Sequence, residues 1–275
     1  MTDNKTEYIK SWQSRYENDL KNDIMPFWLK NGLDRKNGGV YTCLNRDGSL
    51  IDTTKSVWFQ GRFGFIAAFA YNNIAPNPEW LEASKSCIDF IEAHCADEDG
   101  HMYFEVTCEG RPLRKRRYVF SECFAAIAMA EYSIASGDTT YAAKALELFR
   151  RIQNFISTPG FLPPKYLPEI EMQGHSITMI LINTAFRIRK AIAAPELDAR
   201  IDTSIKALKN YFMHPEFEAL LETVGPNGEF IDTINGRTIN PGHCIETAWF
   251  LLEEAEYRNS DPTLVDMALT ILDWS

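Results

Sequence analysis

His243 and Glu246 stand three residues apart in Asn240-Pro241-Gly242-His243-Cys244-Ile245-Glu246. On a helix that spacing puts both on one face. A carboxylate there can fix the orientation and tautomer of an imidazole, which a general base requires. A second glycine–histidine pair, Gly174-His175, opens another apolar segment. Gln60 and Arg62 sit among Trp58, Phe59 and Phe63, and Tyr118, Ser121 and Glu122 sit beside Phe120 and Phe124. Each group also has a plainer reading. A histidine on a buried helix can be a hydrogen-bonded core residue. Arg62 can pair with Glu122, because a buried unpaired guanidinium is costly. Glu246 can be a helix-cap partner.

Taken together, the set suits proton removal beside a carbonyl. A neutral histidine takes the proton, and a cation with helix N-terminal dipoles stabilises the enediolate. Trp58 and Trp249, with Phe59, Tyr118 and Phe120, offer apolar faces for a sugar ring. Glu122 and Glu246 would serve as a glycosidase pair, but that leaves the histidines without a task. No His/Cys set has zinc-ligand spacing, and there is no P-loop and no GxGxxG after a strand, so no metal is expected. His94, His101 and His214 read as surface or structural residues, and Cys123 and Cys244 as core filler.

These groups must be carried by helices. Tyr8, Trp12, Tyr16 and Leu20 recur every four residues in a segment from Thr6 to Leu33, which Pro26 is expected to interrupt. Asn77-Pro78, Asp138, Pro195 and Asp261-Pro262 open amphipathic helices. Between them lie segments apolar nearly all round, from Val57 to Tyr71, Tyr118 to Tyr132, Gly174 to Ile188 and Gly242 to Tyr257. Such helices are buried. The candidate residues sit in the first turns of these inner helices, so parallel inner helices would gather them at one mouth.

The alternation of outer and inner helices repeats. The connections resemble one another too. Gly38 to Thr42 leads to Asp47-Gly48, Gly100 to Glu105 to Glu109-Gly110, and Gly228 to Asp232 to Asn235-Gly236. Each predicts a short strand and a hairpin. Stacked αα-hairpins make an open solenoid or a closed α/α barrel, and inner helices this apolar favour closure. The chain is read as one domain over 1–275. About nine helices are legible against about twelve for six hairpins, so the last hairpins are expected to be missing.

The composition narrows the function classes. Lys and Arg number 28 and Asp and Glu 38, for a formal net charge of −10. That excludes a basic nucleic-acid surface and disfavours anionic membranes. The first residues lack the apolar core of a signal peptide, and the longest apolar runs are half the roughly 20 residues of a membrane helix. Six cysteines without a CxxC pair fit reduced thiols in a cytoplasmic protein.

Three segments carry a resemblance. They are Val57-Trp58-Phe59-Gln60-Gly61-Arg62, Phe120-Ser121-Glu122-Cys123-Phe124, and Asn240 to Glu246 with Trp249-Phe250-Leu251-Leu252. In order and each on an inner helix, they are similar to the N-acyl-D-glucosamine 2-epimerase family, which includes the animal renin-binding protein. The resemblance spans nearly the whole chain. It implies an all-α (α/α)6 barrel that interconverts N-acetylglucosamine and N-acetylmannosamine by proton removal and return at C2 of the open-chain sugar. It implies His243 as acid/base with Glu246 as partner, Arg62 at the carbonyl or enediolate oxygen, and His175 assisting at O1 or in ring opening. Trp58, Gln60, Tyr118, Glu122 and Trp249 would line the substrate pocket. No cofactor is required. ATP is a possible activator, as in animal and cyanobacterial members, without a motif here that establishes its site. The partner is a small amino sugar, with no nucleic acid and no membrane, and a homodimer is a possible assembly. The family's second catalytic histidine lies on a C-terminal hairpin beyond Ser275, so the site is expected to be half built in this chain. Two rivals stand beside this reading: an aldose–ketose isomerase or other sugar 2-epimerase of the same fold, and a sugar- or protein-binding αα-repeat protein without catalysis.

Overall fold

The structure, a computed structural model, describes residues 2–275 apart from 167, 168 and 170. Among the described residues ten α-helices are joined by short two- to four-residue strands. The chain divides into two compact units, residues 1–148 and 149–275, with the boundary inside one helix.

The first unit begins with α1 (Thr2–Asp19) and α2 (Met25–Asn31), joined by a π-helical turn, Leu20–Ile24. The expected interruption at Pro26 therefore does not end the helix. Proline supplies no N–H, and a wider turn just before it absorbs the missing bond. Met25 and Leu29 anchor this run in a core with Ala67, Ala70, Trp80 and Ala83. The aromatic stripe of α1 stays outside that core: Tyr8 is 62% exposed and Tyr16 66%.

A small hairpin, β1 (Cys43–Leu44) with β2 (Leu50–Asp52), precedes β3 (Lys55–Ser56) and the inner helix α3 (Val57–Asn73). The outer helix α4 (Pro78–His94) follows, with the Asn77 side chain accepting from Glu79 N at 3.0 Å. Next come β4 (Tyr103–Val106) and β5 (Pro112–Lys115), which form a three-stranded sheet with β3 in the order β3-β4-β5. They lead into the inner helix α5 (Phe120–Ser136), buried on almost every face, and the outer helix α6 (Thr139–Ser157). Tyr132 meets Tyr141 edge-on at 4.9 Å, bringing α6 to α5. Inner helices α3 and α5 cross closely because Gly61 has no side chain. A Cβ there would lie 2.6 Å from the Phe124 backbone.

The second unit holds β6 (Gln173–Gly174), α7 (His175–Ala191) and α8 (Pro195–Ala207), which runs into a π turn, Leu208–Phe212. Three short strands follow: β7 (Met213–His214), β8 (Ala219–Leu220) and β9 (Thr223–Val224). The unit ends with α9 (Pro241–Tyr257) and α10 (Pro262–Asp273). Prolines take the first helical positions of α4, α8, α9 and α10, where their missing N–H costs nothing.

Two of the three expected hairpins shift. Residues 100–110 form the β4–β5 hairpin as read, but 38–42 is a loop carrying one bridge, Leu33 to Val40, with the hairpin displaced to β1–β2. Residues 228–236 form no strand; their place in a ladder is taken by β9, which pairs with β6. No disulfide joins the six cysteines, and Cys123 and Cys244 are buried as core residues. No helix among the described residues is long and apolar enough to cross a membrane.

Candidate active site

The antiparallel pair β6–β9 builds the centre of the second unit. It sets Glu222, the residue before β9, against the first turn of α7: His175 N donates to Glu222 O at 3.0 Å. Glu222 N in turn donates to Thr238 O at 3.0 Å, so the glutamate backbone is fixed on both sides. On α9, Pro241 starts the helix and the Asn240 side chain accepts from His243 N at 3.3 Å. This cap places His243 in the first turn.

The two histidines meet at one carboxylate. His243 Nδ1 lies 2.9 Å from Glu222 Oε2, and His175 Nδ1 lies 3.7 Å from the same oxygen. Their rings are 6.3 Å apart between centroids. Thr247, one turn beyond His243, joins them. Its hydroxyl donates to His243 O at 2.8 Å, so its oxygen accepts from His175 Nε2 at 2.9 Å. His175 is 1% exposed, whereas the His243 side chain is 33% exposed and that of Glu222 17%. The buried member thus backs the cluster and His243 faces outward.

The electrostatics follow from these contacts. The Glu222 hydrogen bond raises His243 above the ordinary histidine value, against burial, which would lower it. Burial pushes the Glu222 carboxyl up, but the two histidines outweigh it and hold it down at about 2. Glu222 is therefore a fixed carboxylate. It accepts a hydrogen bond from His243 Nδ1–H, so the neutral ring carries its lone pair on Nε2.

Glu246 is not the partner that three-residue spacing suggested. It lies half-buried on α9 and acts on His243 only as a nearby charge, while Glu222 makes the hydrogen bond. Helical spacing limits what a residue can meet on its own helix, but a loop can bring a carboxylate closer. Glu222 had one sequence signal, a lone acid inside the apolar run Ala219-Leu220-Leu221 and Thr223-Val224. His175 makes no outward contact. Its two ring nitrogens face Thr247 and Glu222, which suits positioning rather than contact with a sugar.

The remaining expected site residues lie mostly in the first unit. Trp58 stands in an aromatic group, 5.0 Å from Phe104, 5.2 Å from Phe120 and 5.9 Å from Phe124 between centroids. Tyr118 meets Phe120 edge-on at 6.0 Å, and the exposed Arg62 guanidinium lies 4.2 Å from the Phe124 ring. Arg116 lies 3.9 Å over Phe104 and 5.6 Å from Trp58. Gln60 does not face a pocket. It is fully buried, and its amide donates to Val40 O at 2.6 Å and accepts from Val40 N at 2.8 Å. Glu122 is also fully buried. Its Oε1 accepts from Met102 N and faces His101 Nδ1, each at 2.6 Å. Both are ties between inner helices and the loops above them, with Glu122 bonded through Oε1 alone while its buried Oε2 has no hydrogen-bond partner among the described residues. In the second unit, Trp249 is 48% exposed on α9 and packs against Phe250.

Comparison with known proteins agrees with this architecture. The family model for N-acylglucosamine 2-epimerase matches residues 39–274. N-acylglucosamine 2-epimerase of Bos taurus is 32% identical over 262 residues, covering 92% of this chain and 61% of that protein. Cellobiose 2-epimerase of Ruminococcus albus is 32% identical over 258 residues, covering 86% of this chain and 64% of that protein. The chain thus spans less than two thirds of the length of these curated relatives. The solved structure of a cellobiose 2-epimerase from Bacillus thermoamylovorans has the same fold, with a TM-score of 0.83 at 19% identity over 95% of this chain and 71% of that one. A family model that matches residues 39–274, together with relatives of that name over more than nine tenths of this chain, leads to one conclusion: the chain belongs to the N-acylglucosamine 2-epimerase family.

Proposed function

We propose that this chain carries acid/base residues of an isomerase that epimerises an N-acetylated amino sugar at C2, interconverting N-acetylglucosamine and N-acetylmannosamine. The observation behind this reading is the 2.9 Å hydrogen bond from His243 Nδ1 to Glu222 Oε2. It fixes the tautomer in which Nε2 is unprotonated, the state a general base needs. The family relationship supports the sugar class. The relatives named N-acylglucosamine 2-epimerase support the N-acyl sugar over cellobiose, since they match a larger share of this chain.

In the proposed reaction the open-chain sugar presents its C2 proton to His243 Nε2. The proton moves to the ring, and Glu222, already anionic, stabilises the imidazolium that forms. His175 and Thr247 hold Glu222 and the head of α9 in place. For the other epimer the planar enediolate turns its opposite face to His243, and the imidazolium Nε2–H, exchanged with solvent, returns a proton to C2, which restores the aldehyde and the neutral ring; no cofactor enters the step.

Proton NMR of N-acetylmannosamine in D2O with the purified protein tests this. Deuterium at C2 with growth of N-acetylglucosamine is the expected result. His243→Ala should slow it by at least about 10²-fold, the scale of a general base. Mannose giving deuterated fructose, with no change in the amino sugar, would replace the epimerase by an aldose–ketose isomerase. Sugar binding that survives His243→Ala without exchange in either protein would leave a binding protein.

A further inference from the structure

The cluster at the heads of α7 and α9 has the form of a metal site as well as of an oriented base. One donor atom from each of His175, Glu222 and His243 lies within 4.8 Å of the other two. The two Nδ1 atoms stand 3.7 and 2.9 Å from the same oxygen, Glu222 Oε2. A tetrahedral ion held at about 2.0–2.2 Å needs donors about 3.4 Å apart, so side-chain shifts of roughly 1 Å would close the set. The groups behind the donors fit too. A metal-bound histidine donates its other N–H to a fixed acceptor. His175 does this, because Thr247 spends its own proton on His243 O and accepts from His175 Nε2. His175 Nδ1 then faces Glu222 Oε2 across 3.7 Å, beyond a hydrogen bond, a gap that a cation between the two atoms would bridge.

We propose that His175, Glu222 and His243 form an inhibitory site for a borderline divalent transition-metal ion of the zinc class, the class that imidazole and carboxylate donors select. The inhibition rests on the proposed epimerase reading; the binding does not. The inhibition follows from proton bookkeeping. In the metal-free ring His243 carries its proton on Nδ1, against Glu222, and its lone pair on Nε2. A metal on Nδ1 uses the lone pair there, so the single ring proton moves to Nε2. The ring stays neutral and no proton leaves the protein, but Nε2 becomes a donor and ceases to be a base.

Long-range proton–nitrogen NMR of the full chain with 15N-labelled histidine reads this directly. The sequence has 5 histidines, and His243→Ala assigns the one in question. One equivalent of Zn2+ should switch His243 from the Nδ1–H to the Nε2–H pattern, and Co2+ should give the visible absorption of a low-coordinate site. Glu222→Ala and His175→Ala, each checked for native circular dichroism, should weaken Co2+ binding at least about tenfold. Thr247→Val, which keeps all three donors, should weaken it less. C2 exchange should fall with Zn2+ occupancy and return with a chelator. No tautomer switch at millimolar Zn2+, Co2+ binding unchanged in Glu222→Ala, or exchange accelerated by Zn2+ would each overturn the proposal. A protein that binds and switches but never exchanges a C2 proton, even metal-free, refutes the epimerase reading and leaves the metal site standing.

Discussion

Glu222 and Glu246 compete for one role, and their positions separate them. Glu222 holds the His243 Nδ1 proton at 2.9 Å, whereas Glu246 contributes charge from the same helix without a hydrogen bond to the ring. Glu222→Gln keeps the shape but removes the anion that orients and stabilises the imidazolium. In the D2O exchange assay it should cost at least about tenfold more than Glu246→Gln, because a hydrogen bond to a charged group is worth about 1.5–3 kcal/mol. Equal losses would return the role to Glu246. At this scale the sequence made His243 legible, since its cap and its helix are local. Its partner was not legible, because the hydrogen bond joins residues 21 positions apart.

The ties between helices and loops decide what the elements can present. His101 faces Glu122 Oε1 through Nδ1 and Arg116 O through Nε2, at 2.6 and 2.8 Å. Both partners are acceptors, so the ring satisfies both only as the imidazolium. Burial alone would lower its pKa, but the Glu122 hydrogen bond and charge outweigh burial and raise it above 6.5. A raised folded-state value stabilises fully below the unfolded value and is lost as pH rises through the folded one. The melting-temperature gap between the native chain and His101→Gln should therefore be widest below pH 6.5 and narrow above it. A gap constant with pH would remove His101 from this role. Gly61 sets the other element-scale constraint. Gly61→Ala would place a methyl carbon 2.6 Å from the Phe124 backbone and must push α3 from α5. Overpacking of this kind costs about 1–3 kcal/mol, and denaturant unfolding should show that loss. The motif around Trp58 was legible as a motif. The task of its glycine and of Gln60 was not, because both act on neighbours distant in sequence.

At the scale of whole units, buried charge binds three helices of the second unit together. Glu254 on α9 is 0% exposed; it accepts from Arg189 of α7 at 2.6 Å and from Arg258 at 2.5 Å. Arg189 also reaches Asp198 of α8 at 2.5 Å, and Arg258 reaches Asp202 of the same helix at 2.7 Å. Removing Glu254 leaves the buried Arg189 with only the exposed Asp198 and Arg258 with only the exposed Asp202, and breaking a buried pair of this kind costs about 3–5 kcal/mol at most. Glu254→Ala should lower stability by that order, measured by urea unfolding, and Glu254→Gln by less. A loss under about 1 kcal/mol for the alanine variant would mean that surface exposure relieves the arginines.

The sequence by itself determined the parts whose causes lie within a few residues. The alternation of outer and inner helices, the capping asparagines and aspartates, the prolines at four helix starts and the place of His243 in the first turn of α9 all follow from short-range sterics and hydrogen bonding. The three motifs also placed the chain in its family. Only the tertiary structure decided which groups meet. It brought Glu222 to two histidines through the β6–β9 pair, spent Gln60 and Glu122 on the loops above them, and turned His175 inward. Those outcomes depend on where a loop returns to a helix end and on which buried polar atoms then need partners, and no local pattern encodes either.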